Sequence, residues 1–163
     1  PDGTMIWRIS LATVDRDGPF SDFAGYKRII MMLSGGGMVL DFGTHGSAVM
    51  DRPFVPVTFD GAWPTSATLM NGPTRDLNVV TAHDGAESTV EVLKLSGAGL
   101  ELAPSRGLTL LHVLTGQATA ALGTASHTLA TADTLRLDGA GQGGRVTADG
   151  DGALVYRIDI DLA

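Results

Sequence analysis

Apolar and polar residues alternate along this chain in short runs with a period of two. In Met5-Ile6-Trp7-Arg8-Ile9-Ser10-Leu11-Ala12, Trp7, Ile9 and Leu11 fall on one face, and Arg8, Ser10 and Ala12 on the other. Comparable runs follow at Arg28 to Leu33, Met38 to Phe42, Phe54 to Phe59, Ala67 to Met70 and Leu77 to Thr81. More come at Thr89 to Leu95, Leu108 to Leu114, Gln117 to Leu122, Thr134 to Leu137, Gly144 to Thr147 and Ala153 to Ile160. Turn signals separate them: Asp17-Gly18-Pro19, Ser34-Gly35-Gly36-Gly37, Asp60-Gly61, Asn71-Gly72-Pro73, Asp84-Gly85, Asp138-Gly139 and Asp149-Gly150-Asp151-Gly152. No segment sustains a 3.6-residue period beyond about three turns. Many short strands at regular spacing predict an all-β sandwich or barrel.

The runs also repeat. Ile30-Met31-Met32-Leu33-Ser34-Gly35 resembles Leu111-His112-Val113-Leu114-Thr115-Gly116, at an offset of 81. Val57-Thr58-Phe59-Asp60-Gly61 resembles Thr134-Leu135-Arg136-Leu137-Asp138-Gly139, at an offset of 78. Each half reads as strand, small-residue turn, strand, loop, strand and Asp-Gly turn, which favours duplication over coincidence. The halves are expected at 1–95 and 96–163, joined near Ser96 to Ser105 by a connection too short for an independent linker, and acting as one unit.

The half-repeat, an apolar-Leu-x-Gly strand end followed by a Gly turn, resembles the cupin pattern, and its duplication resembles a bicupin. The first half carries further motifs: Trp7-Arg8-Ile9-Ser10, Asp17-Gly18-Pro19-Phe20-Ser21-Asp22-Phe23-Ala24-Gly25, Arg28, Leu33-Ser34-Gly35-Gly36-Gly37, and Leu69-Met70-Asn71-Gly72-Pro73-Thr74-Arg75-Asp76-Leu77-Asn78. In this order they resemble the HutD/Ves family. The resemblance implies two jelly-roll, RmlC-like barrels. It also implies an association with histidine utilisation, whose intermediates, such as urocanate and formylglutamate, are carboxylates.

Cupins commonly hold a metal on two His, a Glu and a later His. Counted back from Gly35, that pattern puts Ser21 and Phe23 at the His positions and Arg28 at the Glu position. Counted back from Gly116, the acid position is Thr109, with Leu102 and Pro104, or Ala103 and Ser105, at the His positions. The fourth ligand becomes Pro64 or Gln142. His45, His83, His112 and His127 form no local chelating pair, so neither a metal nor another cofactor is expected.

Composition narrows the partners. Of 163 residues, 11 are Lys or Arg and 18 are Asp or Glu, giving a net charge of -7, which disfavours a direct nucleic-acid partner. With 44% hydrophobic residues the chain can bury a core. No apolar run nears the ~20 residues of a membrane span, and no charged-then-apolar leader opens the chain, so a cytoplasmic protein is expected. The chain has no cysteine, no Gly-x-Ser-x-Gly elbow and no dinucleotide fingerprint, and the Ser34 to Gly37 glycines lack the Lys-Ser/Thr of a phosphate loop.

Arg28 is then the residue to watch. Pointing into a barrel, its guanidinium suits a carboxylate held bidentately. The structural alternative is an ion pair with Asp76, and the two readings stand side by side. Ser10 and Ser21 offer hydroxyls, Asn78 an amide, and Phe20 and Phe23 apolar walls, although at least one of the two rings is expected to pack in the core under a loop. Gly18-Pro19 and Gly72-Pro73 are expected to set turns. The preferred function is metal-free binding of a small anionic metabolite without chemistry, with a homodimer left open. The alternatives are a metal-independent isomerase or lyase acting on a sugar or organic acid, and a filled barrel with no cavity.

Overall fold

A computed structural model describes residues 5–103, 106–139, 143–148 and 150–163. Pro104, Ser105 and Gln142, three of the metal-pattern positions, lie outside them. The chain divides into two units, one running to Glu87 and including Ala163, the other from Ser88 to Leu162. In the first, the alternating runs form β1 (Trp7–Val14), β2 (Gly18–Pro19), β3 (Tyr26–Gly35), β4 (Met38–Asp41), β5 (Ser47–Met50), β6 (Pro56–Asp60), β7 (Ser66–Leu69) and β8 (Thr74–Ala82). The second holds β9 (Ala86–Leu95), β10 (Leu100–Leu102), β11 (Leu108–Thr115), β12 (Gln117–Leu122), β13 (Ala125–Ala130), β14 (Thr134–Asp138), β15 (Gly144–Ala148) and β16 (Ala153–Leu162). A 3-10 turn at Gly43–His45 is the one helical element among the described residues, so no helix there is long and apolar enough to cross a membrane.

The first unit has two sheets, ordered β1-β8-β3-β6 and β2-β7-β4-β5. The second repeats both orders eight strands later, as β9-β16-β11-β14 and β10-β15-β12-β13. Two four-stranded sheets joined this way make a jelly roll, so each unit is one cupin-type barrel. The strand Thr89 to Leu95, assigned to the first half from sequence, lies beside β16 in the second unit's sheet. Gly18-Pro19, expected as a turn, is a short strand at a sheet edge, where a missing N–H costs no ladder bond.

The two barrels are filled differently. The first packs Ile30, Met32, Met38, Leu40, Phe42, Met50 and Phe59 between its sheets. The second packs Leu95, Leu102, Leu111 and Leu129 together with smaller residues, among them Ala118, Ala120, Ala148, Ala153, Val113, Val146 and Val155.

The repeat is visible in backbone detail as well. The register of β3 on β8 shifts between Met32 and Ser34, and that of β11 on β16 shifts between Val113 and Thr115. Each bulge ends at a glycine with positive φ, Gly35 at 113° and Gly116 at 82°. A Cβ on Gly35 would lie 2.2 Å from the Pro73 carbonyl oxygen, and one on Gly116 would lie 2.4 Å from that of Gly152. The side chain is excluded by the start of the neighbouring strand in both barrels. Gly35→Ala should therefore destabilise the protein by about 1–3 kcal/mol through backbone strain, with the clash adding to that. Urea unfolding tests this; an unchanged midpoint would mean that β8 relaxes away at no cost.

Candidate functional site

Arg28 reaches the interior because of its register on β3. It stands opposite Phe59 on β6 and Val80 on β8, and shares a face with the core residues Ile30 and Met32. On β8, Asp76 and Asn78 are two apart and point to the same side, opposite Met32 and Ile30. The segment before β3 is tied to the Asp60-Gly61 turn: the Phe23 N–H donates to the Gly61 carbonyl at 3.1 Å, and the Gly61 N–H to that of Tyr26 at 2.7 Å. This brings Phe20 and Phe23 over the guanidinium.

The result is a cavity of about 380 Å³ within the first barrel, lined by Arg28, Asp76, Asn78, Phe20, Phe23 and Ser21 and by the segment from Ala12 to Pro19. Among the described residues no histidine or tyrosine lines it. The Arg28 carbon Cζ lies 5.3, 5.0 and 5.1 Å from the ring centres of Phe20, Phe23 and Phe59, so three aromatic faces surround the charge. Phe20 also packs against the core, combining both expected roles.

The polar connections differ from the sequence expectation. Arg28 Nη2 donates to Asn78 Oδ1 at 3.0 Å, and Asn78 Nδ2 donates in turn to Asp76 Oδ1. The amide thus stands where a direct Arg28–Asp76 ion pair was one of the two readings. Among the described residues no carboxylate lies within ion-pairing distance of Arg28. Ser21 lines the cavity, and its backbone carbonyl accepts from Nη1 at 3.3 Å. Ser10 faces Asn78 from β1 but does not line the cavity. In sequence Phe59 shows only as part of an apolar strand, because its place opposite Arg28 depends on cross-strand register.

Of the five guanidinium N–H groups, two are engaged, and Nε is buried with no partner. Asp76 Oδ2 is also buried with none. Asp76 is 1% exposed and Arg28 6% exposed, so both charges are taken out of water. Burial raises the Asp76 carboxyl to about 6, against the opposing pull of the Asn78 hydrogen bond and the Arg28 charge. Burial holds Arg28 below its ordinary value, with Asp76 acting the other way. The donor set at the cupin metal positions is a guanidinium, a phenyl ring and a serine whose carbonyl is already engaged. It does not fit a transition metal. Among the described residues no three His, Asp or Glu side chains come together.

The second barrel shows what the equivalent positions do when an acid is supplied. By register, Thr109, Arg157 and Asp159 correspond to Arg28, Asn78 and Val80. Asp159 accepts from Arg157 Nε at 2.7 Å and Nη2 at 3.2 Å, and from the Thr109 hydroxyl at 2.5 Å. There the arginine fork is closed by a built-in carboxylate. In the first barrel it is not.

The Asp76 carboxyl carries a consequence for stability. Its folded value of about 6 lies above its ordinary 3.8, so folding is favoured with Asp76 neutral and loses stability as the pH rises through 6. Asp76→Asn keeps an acceptor for Asn78 and removes that loss. Its stability relative to the parent should rise by about 2–3 kcal/mol between about pH 4 and pH 8, measured by urea unfolding. A difference that does not change with pH would mean that Asp76 titrates as an ordinary carboxyl.

The comparisons with known proteins agree with this architecture. The HutD family pattern matches residues 2–156. The uncharacterised 21.2 kDa protein in the hutC 3′ region of Pseudomonas putida is 41% identical over 76 residues, covering 47% of this chain and 40% of that protein. Protein Ves of Citrobacter koseri is 36% identical over 87 residues, 53% of this chain and 45% of its own length. These matches thus span less than half of either relative. The solved structure of HutD from Pseudomonas fluorescens SBW25 is similar with a TM-score of 0.82 at 26% identity, covering 96% of this chain and 79% of that one. A cupin 2 conserved barrel protein from Leptotrichia buccalis shares the fold alone, with a TM-score of 0.66 at 10% identity over 98% of this chain and 86% of that one. With the family pattern matched over nearly its whole length, and with two barrels of cupin-type fold, this chain belongs to the HutD family.

Proposed function

We propose that this protein binds a small carboxylate metabolite in the first barrel, without changing it chemically, and through that binding modulates histidine utilisation. The observation that carries the reading is Arg28: a buried, permanent cation whose hydrogen-bond partners are neutral and which keeps unused donors beside a cavity. A cavity of about 380 Å³ lies at the lower end of small-molecule sites, in keeping with a metabolite of the size of urocanate or formylglutamate. A single guanidinium favours a monocarboxylate such as urocanate over formylglutamate, whose two carboxylates make it a dianion. The relative in the hutC 3′ region and the HutD of P. fluorescens support the pathway. With a net charge of -7, regulation would run through ligand sequestration or a protein partner rather than through DNA.

The test is calorimetric titration of urocanate and formylglutamate into the parent protein and Arg28 variants. Charge-assisted hydrogen bonds of roughly 1.5–3 kcal/mol imply that Arg28→Ala weakens binding about ten- to a hundredfold. Arg28→Lys should recover little, because an ammonium cannot reproduce the planar fork. Thermal unfolding of each variant separates lost binding from lost folding. Equal affinity in the parent and a well-folded Arg28→Ala would make the arginine a purely structural residue.

A further inference from the structure

Among the described residues, Arg28 and Asp76 are the charged side chains that the fold buries, and both line the first barrel's cavity. Opposite charges buried together repay their desolvation by direct, well-formed contact. These two are held apart by the Asn78 amide, which accepts from Arg28 and donates to Asp76 Oδ1. That leaves Oδ2 with no donor. An ionised carboxylate with an orphaned, buried oxygen is costly, and a proton on that oxygen removes the charge, the larger part of that cost.

The surroundings offer no other compensation. Across from Asp76 on β1 is Ala12, and Ser10 follows on the same face, neither charged. Arg28 reaches in from β3, with the Phe20 and Phe23 rings beside it. Asp15, Arg16 and Asp17 line the mouth; Asp15 and Arg16 form an exposed pair, and Asp17 is held by the Leu69 N–H at 2.8 Å. No charged side chain of β4 or β7 lines the cavity.

We propose that the cavity takes up a monoanion together with one proton, and that Asp76 is the proton's seat. The inference rests on the reading of Arg28 as the anion anchor. Before binding, the guanidinium and the Asp76 carboxylate sum to zero charge. After binding, the guanidinium and the ligand anion sum to zero, because a solvent proton has moved onto Asp76. No bond of the ligand forms or breaks. Without the proton, the anion would enter a cavity already holding a carboxylate, and the buried charge would be uncompensated. The upward displacement of the Asp76 titration by burial agrees with this geometry. The ligand class is thus narrowed to a small acid, captured as its elements anion and proton, and occupancy falls as the pH rises above the Asp76 titration.

Acetate serves as the probe, titrated calorimetrically between about pH 5.5 and pH 8 in two buffers of different ionisation enthalpy. Affinity should fall by up to about tenfold per pH unit above about pH 6, with close to one proton taken up per acetate at the alkaline end. In Asp76→Asn the pH dependence and the proton uptake should both vanish, and at about pH 8 the variant should bind up to about a hundredfold more tightly than the parent. Should that variant fold poorly, carbon-13 NMR of the Asp76 carboxyl in the parent decides the matter, since saturating acetate should move its titration upward. Acetate binding that Arg28→Ala abolishes but that is independent of pH, with no proton uptake, would overturn the coupling and leave the anchor intact. Failure of acetate to bind the parent or Asp76→Asn at any pH would overturn both.

Discussion

The site depends on one constraint: a guanidinium that cannot shed its charge is placed inside a barrel where, among the described residues, no carboxylate touches it directly. Everything near Arg28 answers to that charge. Three phenyl rings surround it, a backbone carbonyl and an amide oxygen each take one N–H, and the nearest acid is kept one residue away by the same amide. Neutral partners orient a cation without neutralising it. The arrangement therefore keeps the positive charge available at the cavity wall.

The duplication supplies an internal comparison that few sites possess. Both barrels share strand order, a bulge and a glycine at the same places, yet their interiors have diverged. In the second barrel Asp159 occupies the fork of Arg157 and the Thr109 hydroxyl completes the set, so the charges are matched within the protein. Leucines, alanines and valines make up that barrel's apolar core, with no aromatic ring among the described residues of the cluster. The first barrel uses larger, aromatic side chains and leaves its arginine's fork partly open. One fold thus gives a closed polar cluster and an open cavity, and the difference lies in a few side chains rather than in topology.

The elements legible in the sequence were those whose burial forces alternation. The strands missed, β2, β5, β10 and β13, are the edges of the sheets β2-β7-β4-β5 and β10-β15-β12-β13. Edge strands are short or polar and carry little periodic signal: β13 runs Ala-Ser-His-Thr-Leu-Ala, with Leu129 its one buried residue. Asp76 and Asn78 could be placed on one face because they are two apart on a strand. The insertion of Asn78 between Arg28 and Asp76 could not, since it depends on how β8 registers against β3, and nothing local encodes that. The Arg157–Asp159 pair was open to the same two-residue argument. The bond from Arg28 to the Ser21 carbonyl lies beyond sequence reasoning altogether, since every residue has a carbonyl.

The most direct test observes the guanidinium itself. Arginine Nε–H signals resolve in proton–nitrogen correlation spectra, and the fold contains its own control. On titration with urocanate, the Arg28 Nε–H, which has no partner in the cavity, should shift and saturate as a bond to the carboxylate forms. The Arg157 Nε–H, already bonded to Asp159 at 2.7 Å, should not move. A saturable response at other residues with the Arg28 signal unchanged, or equal small drifts of both arginines, would contradict the claim that Arg28 is the anchor.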